Sequence, residues 1–194
     1  AHTKRMPKIT IPAPSAIYGR PTRTPIDKNI YPRMDEFFAD LGQAYKKAVH
    51  AFAGAGCRYL QLDEVFIAML CDPKYREQMK DRGDDPEKLG ALYGDLINTA
   101  MSDIPADMTI TMHMCRGNYK STYIASGGYE PVAAVPFNTS TVHSYLMEYD
   151  AAPACVFEPP PLVPTGQTAL LVPVPSTTGP PGPTAAGNPR PSRP

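Results

Sequence analysis

Strand-like and helix-like hydrophobic patterns alternate along the first 150 residues, and this alternation restricts the fold more than any other feature. Residues 9–13 (ITIPA), 59–62 (YLQL), 108–114 (MTITMHM) and 143–148 (HSYLME) read as four short strands. Between about Asp35 and Ala53, the apolar residues Phe38, Leu41, Tyr45, Ala48, Val49 and Phe52 recur at three- and four-residue spacing, the signature of a helix face. Asp35 suits an N-cap or first-turn acid, and the Gly54–Gly56 segment ends the helix. Further helices are expected over about 65–71, 73–81 and 86–101. The last opens on Asp85-Pro86, an N-cap followed by a proline in the first turn. Residues 16–33 and 116–128 read as loops, with a short helix over 129–135. Strands joined by helical crossovers pair parallel, with right-handed connections. The expected class is therefore α/β with a parallel sheet.

Composition divides the chain at about residue 150. Of 24 prolines, 11 precede that point and 13 follow it. Among the 38 charged residues only Glu158, Arg190 and Arg193 lie beyond it. We expect a folded body over 1–150 and a largely irregular, proline-rich tail over 151–194. The one strand-like piece of the tail, Thr168 to Val174, is interrupted by Pro173 and Pro175, which remove ladder donors. The formal net charge is zero. That argues against nucleic-acid or polybasic membrane-surface binding, both of which need clustered cationic charge. No apolar run approaches the ~18–20 residues of a membrane span, and the opening AHTKRMPKIT has no signal-peptide core. The missing initiator Met suggests a processed or partial chain. The four cysteines, Cys57, Cys71, Cys115 and Cys155, lack CxxC spacing and read as cytoplasmic thiols, with Cys57 and Cys71 as small buried side chains.

The sharpest chemical signal is His113-Met114-Cys115. Residues i and i+2 of a strand share a face, so an imidazole and a thiolate project together from one strand end. Both ligate zinc, which accepts mixed nitrogen, sulfur and carboxylate donors. Ligands of parallel α/β sheets bind beyond the carboxyl ends of the strands. Three successive strands here end in Asp63-Glu64, His113/Cys115 and Glu148, and these groups are expected to meet at one rim. Ordinary structural roles stay open for each: Asp63 and Glu64 as helix-starting acids, Glu148 as part of a solvated turn with Asp150, and His113 as a satisfied core histidine.

Taken together, GCRYLQLDE (56–64), TMHMCRGN (111–118) and YLMEYD (145–150) resemble the cobalamin-independent methionine synthase family, most of all its shorter members with only the catalytic domain. PKITIPAPS and the 35–64 stretch fit in the same order, so the likeness covers about residues 7–150. The resemblance implies a (β/α)8 barrel, here present as about four βα units similar to its fourth to seventh strands. It implies a catalytic Zn2+ held by His113, Cys115 and Glu148, and a homocysteine amino group contacted by Asp63. Gln61 and Glu64 belong to the same substrate-binding motif, while Arg116 and Asn118 flank the metal motif without an assigned role. The implied reaction moves a methyl group from a methyltetrahydrofolate-type donor to the homocysteine thiol, giving methionine. Zinc suits this chemistry: a thiol is mostly protonated at neutral pH, only its thiolate is a good nucleophile, and metal coordination removes the proton.

Several family features have no counterpart in the chain. The fourth zinc ligand should be a Cys well beyond residue 150, and Cys155, seven residues after Glu148, does not align with it. Neither His143 nor any tail residue matches the histidine credited with protonating the donor nitrogen. A complete barrel of this type usually needs about 250 residues. A related zinc-dependent thiol alkyltransferase is a second reading. A third is a non-catalytic barrel fragment acting through its edges and PxxP-like stretches such as Pro161-Leu-Val-Pro164. Two open sheet edges would favour homo-oligomers or association with further segments.

Overall fold

The computed structural model describes residues 3–20, 24–117, 124–126, 142–148 and 168–172. They form one five-stranded, all-parallel sheet in the order β1-β2-β3-β4-β5. The strands are β1 (Ile9–Pro12), β2 (Tyr59–Glu64), β3 (Thr109–Met114), β4 (Ser144–Glu148) and β5 (Thr168–Val172). The four strands expected in the body are present to within a residue or two of their expected ends. The tail piece supplies the fifth, which stops at Val172 directly before Pro173. The expected helix over 129–135 lies outside the described residues, as does Cys155.

The helices are α1 (Ser15–Gly19), α2 (Met34–Gly54), α3 (Phe66–Met69), α4 (Pro73–Asp81) and α5 (Pro86–Ala100). All but α1 match the expectation. Helix α1 opens the 16–33 stretch, which its prolines make read as a loop; instead tertiary contacts hold a short helix at its start. Tyr18 stacks edge-on against Phe38 at 4.8 Å, its hydroxyl donates to Asp84 Oδ1 at 2.5 Å, and Tyr75 Oη donates to the Gly19 carbonyl at 2.6 Å. Asp35 lies in the first turn of α2, whose N-cap is Arg33, so of its two suggested roles it takes the first-turn one. Both Asp-Pro helix starts are capped. Asp85 accepts from the Glu87 amide, and Asp72 accepts from the Lys74 and Tyr75 amides.

Alternation along the central strands divides the sheet into two chemically different faces. Leu60, Leu62, Ile110, Met112, Met114, Tyr145 and Met147 are fully buried and form the core with the helices. Their neighbours Gln61, Asp63, Thr111 and His113 lie on the other face. Burying apolar area at about 25 cal/mol per Å² makes the first face the main source of stability and pins the register, since a one-residue slip would exchange the faces. At the base of β2, Gly56 adopts φ +92°, a left-handed conformation that suits glycine. Arg58 then fixes the entry to β2 by donating to Asp107 Oδ2 at 2.7 Å and to the Ala53 carbonyl at 2.8 Å. No described helix is long and apolar enough to cross a membrane.

Candidate metal centre

The parallel register decides which side chains meet. Gln61 pairs with Thr111 and Asp63 with His113, so the second face of the sheet carries two polar rows, with Asp63 and His113 at the carboxyl rim. Cys115 follows β3 by one residue. One ligand atom from each of Asp63, His113 and Cys115 lies within 4.8 Å of the other two, the one group of three metal-ligating side chains among the described residues. Cys115 is buried, His113 is about a quarter exposed and Asp63 is less than half exposed. Asp63 Oδ1 lies 4.0 Å from His113 Nε2, and this oxygen is buried without a hydrogen-bond partner among the described residues. The backbone of Asp63 is fixed independently, its carbonyl accepting from the Ala13 amide at 2.9 Å.

The donor set fits a metal ion of the zinc class. An imidazole nitrogen, a thiolate sulfur and a carboxylate oxygen are the three zinc donor types. A buried carboxylate oxygen with no donor is costly unless a cation or proton donor completes it. Thr111 Oγ1, also on this face, is likewise buried without a hydrogen-bond partner among the described residues. Three donors leave room for a further ligand. Glu148 is the last residue of β4; β3 and β4 pair through Met114 with Met147, so the next step of the register sets Glu148 level with Cys115. The Glu148 side chain lies outside the described residues, as does Asn118.

The remaining expected site residues are placed as follows. Gln61 is buried and accepts a 2.7 Å hydrogen bond from Lys8 Nζ, which also approaches the Tyr59 ring at 5.6 Å. Glu64 points to the opposite face from Asp63 and is fully buried. Its Oε2 accepts from Ser15 Oγ at 2.5 Å and its Oε1 accepts from the Ile67 amide at 2.9 Å, which ties β2 to α1 and α3. Burial raises the Glu64 carboxyl to about 7, against the opposing effect of those hydrogen bonds, and the nearby Asp63 adds to the rise. His143 stands just before β4, with Nδ1 accepting from the Ile110 amide at 3.1 Å, at the amino end of the strand rather than at the rim. Cys57 and Cys71 are buried free thiols, as expected.

One polar residue near the rim was not singled out from the sequence. Asp72 caps α4 and also holds Ser126 of the β3–β4 connection. The Cys71-Asp72-Pro73 run carries the same N-cap signal as Asp85-Pro86, but nothing in it announces the second partner.

Comparison with known proteins supports this reading of the fold. No family model matches the chain. YxjH and YxjG of Bacillus subtilis (strain 168), both of uncharacterized function, are 44% and 40% identical over 153 and 154 residues; each match covers 79% of this chain and 40% of the relative. The chain thus spans about two fifths of the length of the curated relatives it matches. Among solved structures, the crystal structure of a candidate vitamin-B12 independent methionine synthase from Listeria monocytogenes is similar with a TM-score of 0.63 and 36% identity, covering 84% of this chain and 45% of that one.

Proposed function

We propose that the chain carries the metal- and thiol-binding part of a zinc-dependent methyltransferase, a piece of a (β/α)8 barrel whose second substrate is a methyltetrahydrofolate-type donor. The observation that carries the reading is the convergence of Asp63, His113 and Cys115 at the carboxyl rim of a parallel sheet. The likeness to the Listeria protein supports both the barrel and the reaction class. The described cysteines are free thiols, which supports a reducing, cytoplasmic setting.

In this reading His113 and Cys115 hold Zn2+, and Glu148 adds a third ligand. When bound, the metal acts as a Lewis acid that lowers the pKa of a substrate thiol. Asp63 accepts from the ammonium of homocysteine, and Gln61 and Glu64 shape the motif around it. Gln61 does so from a position fixed by Lys8, Glu64 from behind the strand through Ser15 and Ile67. The substrate sulfur loses its proton and attacks the methyl carbon. A C–S bond forms as the C–N bond of the donor breaks, and the donor nitrogen takes up a proton.

The test is incubation of the zinc-loaded chain with homocysteine and methyltetrahydrofolate, with methionine measured by mass spectrometry. Methionine formation that disappears in Cys115→Ser supports the proposal. A zinc-loaded, folded chain that forms none overturns the catalytic reading and favours a non-catalytic fragment.

A further inference from the structure

Asp72 is nine-tenths buried, and both of its carboxylate oxygens are in use for different purposes. Oδ1 caps α4, accepting from the Lys74 amide at 2.7 Å and the Tyr75 amide at 3.2 Å. Oδ2 accepts from the Ser126 amide at 2.7 Å and from Ser126 Oγ at 3.0 Å, 54 residues away in the chain. Capping requires one oxygen only, so the second is surplus to the helix and belongs to the connection that follows β3.

That connection leads straight back to the metal cluster. The Arg116 carbonyl, one residue after Cys115, accepts from the Ile124 amide at 3.0 Å and the Ala125 amide at 3.2 Å. These bonds close a neck between residues 116 and 125. Gly117 makes the neck possible: its φ is +73°, and a Cβ there would lie 3.0 Å from Ile124 Cδ1. Arg116 and Ala125 are buried, so the neck is packed as well as bonded. The anchor beyond it is Ser126, held by Asp72. Burial pushes the Asp72 carboxyl up, but hydrogen bonds from Ser126, Tyr75 and Lys74 outweigh this and hold it below the ordinary carboxylate range. It therefore accepts as a carboxylate at neutral pH, where such bonds are strongest.

We propose that Asp72 is a positioning residue for the metal centre: through Ser126 and the 116–125 neck it fixes the backbone that presents Cys115 to the ion. Groups behind metal ligands orient them, and their loss typically costs 10–100-fold in affinity. The inference rests on the metal reading of Asp63, His113 and Cys115.

The experiment is a titration of the chain with cobalt(II), reading thiolate-to-cobalt charge-transfer absorption and the dissociation constant. Wild type shows the band, and Cys115→Ser abolishes it. Asp72→Asn keeps one oxygen for the α4 cap but loses the acceptor for Ser126; it weakens cobalt binding about tenfold and lowers the band. Asp85→Asn, a change at the N-cap of α5 whose second oxygen meets only Lys88 of the same helix among the described residues, leaves both at wild-type values and controls for general destabilisation. Ser126→Ala, which removes one of the two bonds to Oδ2 and spares the cap, gives a smaller loss and serves if Asp72→Asn fails to fold. Wild-type affinity and band in Asp72→Asn, or in Ser126→Ala when that variant stands in, overturn the positioning role alone. A wild-type chain without the band overturns the metal reading and this inference with it.

Discussion

Asp63 and His113 are register partners on neighbouring parallel strands, and the carboxylate oxygen that approaches the imidazole to 4.0 Å is buried and has no hydrogen-bond partner among the described residues. A sheet that places an uncompensated oxygen beside a nitrogen and a sulfur donor keeps a position for a cation or a donated proton.

Purified chain is expected to hold about one zinc ion. Cys115→Ser and His113→Ala should each bring zinc to near background after dialysis against a weak chelator, as measured by elemental analysis. Full zinc retention in both variants would move the metal away from β3.

Asp63→Asn separates two roles for one side chain. If Asp63 accepts from the substrate ammonium, the variant keeps its zinc and its KM for homocysteine rises at least about tenfold, the cost of roughly one charged hydrogen bond. Loss of zinc in the same variant would instead make Asp63 a metal ligand. Zinc content and KM measured on one preparation decide between them.

Glu64 predicts a pH dependence of stability. The folded chain holds the Glu64 proton up to about 7, whereas the ordinary value for the group is 4.5. The folded state therefore binds more protons across that interval, and stability falls as pH rises through it. The contribution is complete below about pH 4.5 and gone above about pH 7, on the order of 3 kcal/mol in all. In Glu64→Gln an amide can still accept from Ile67 and donate to Ser15, so this part of the slope should flatten. Thermal melts of both proteins from pH 5 to 8 provide the check, and equal slopes would contradict it.

Gly19 ends α1 directly against Phe66. A Cβ at this position would lie 2.4 Å from Phe66 Cδ1 and Cγ. Gly19→Ala should therefore destabilise by about 1–3 kcal/mol through overpacking, and Phe66→Leu should recover part of the loss. Denaturant unfolding of the two single variants and the double variant measures the coupling. Simple additivity would show that the two residues do not compete for space.

The fold was largely legible because the strands and long helices have clean periodicity. Val49 and Phe38 on α2, and Leu60 and Leu62 on β2, occupy the buried positions their spacing requires. Helix α1 was not legible, since five residues among prolines have too little local preference to nucleate a helix. Its stability comes from Tyr18, Ser15 and Gly19 meeting residues far along the chain. At the site, the spacing of His113 and Cys115 placed both on one face. The level at which Asp63 meets them was hidden, because alternation fixes which face a residue takes and says nothing of the offset between two strands. Glu64 next to it shows the same limit from the other side: as a neighbour of Asp63 in sequence it necessarily points away from it in a strand. The two-sided use of Asp72 was out of reach because one of its partners is a serine in a connection with no regular pattern.

The order of strands in the sheet follows their order in the chain, and all three clustered donors come from β2 and the end of β3. The proposed zinc ligands His113, Cys115 and Glu148 lie at the ends of the next pair, β3 and β4, so the ligand set is complete only once β4 docks beside β3. An ion captured at that stage would clip together two points about thirty-five residues apart, closing a loop and adding its binding energy to folding. Metal supply during folding would then affect the yield of folded protein, and not only its later chemistry.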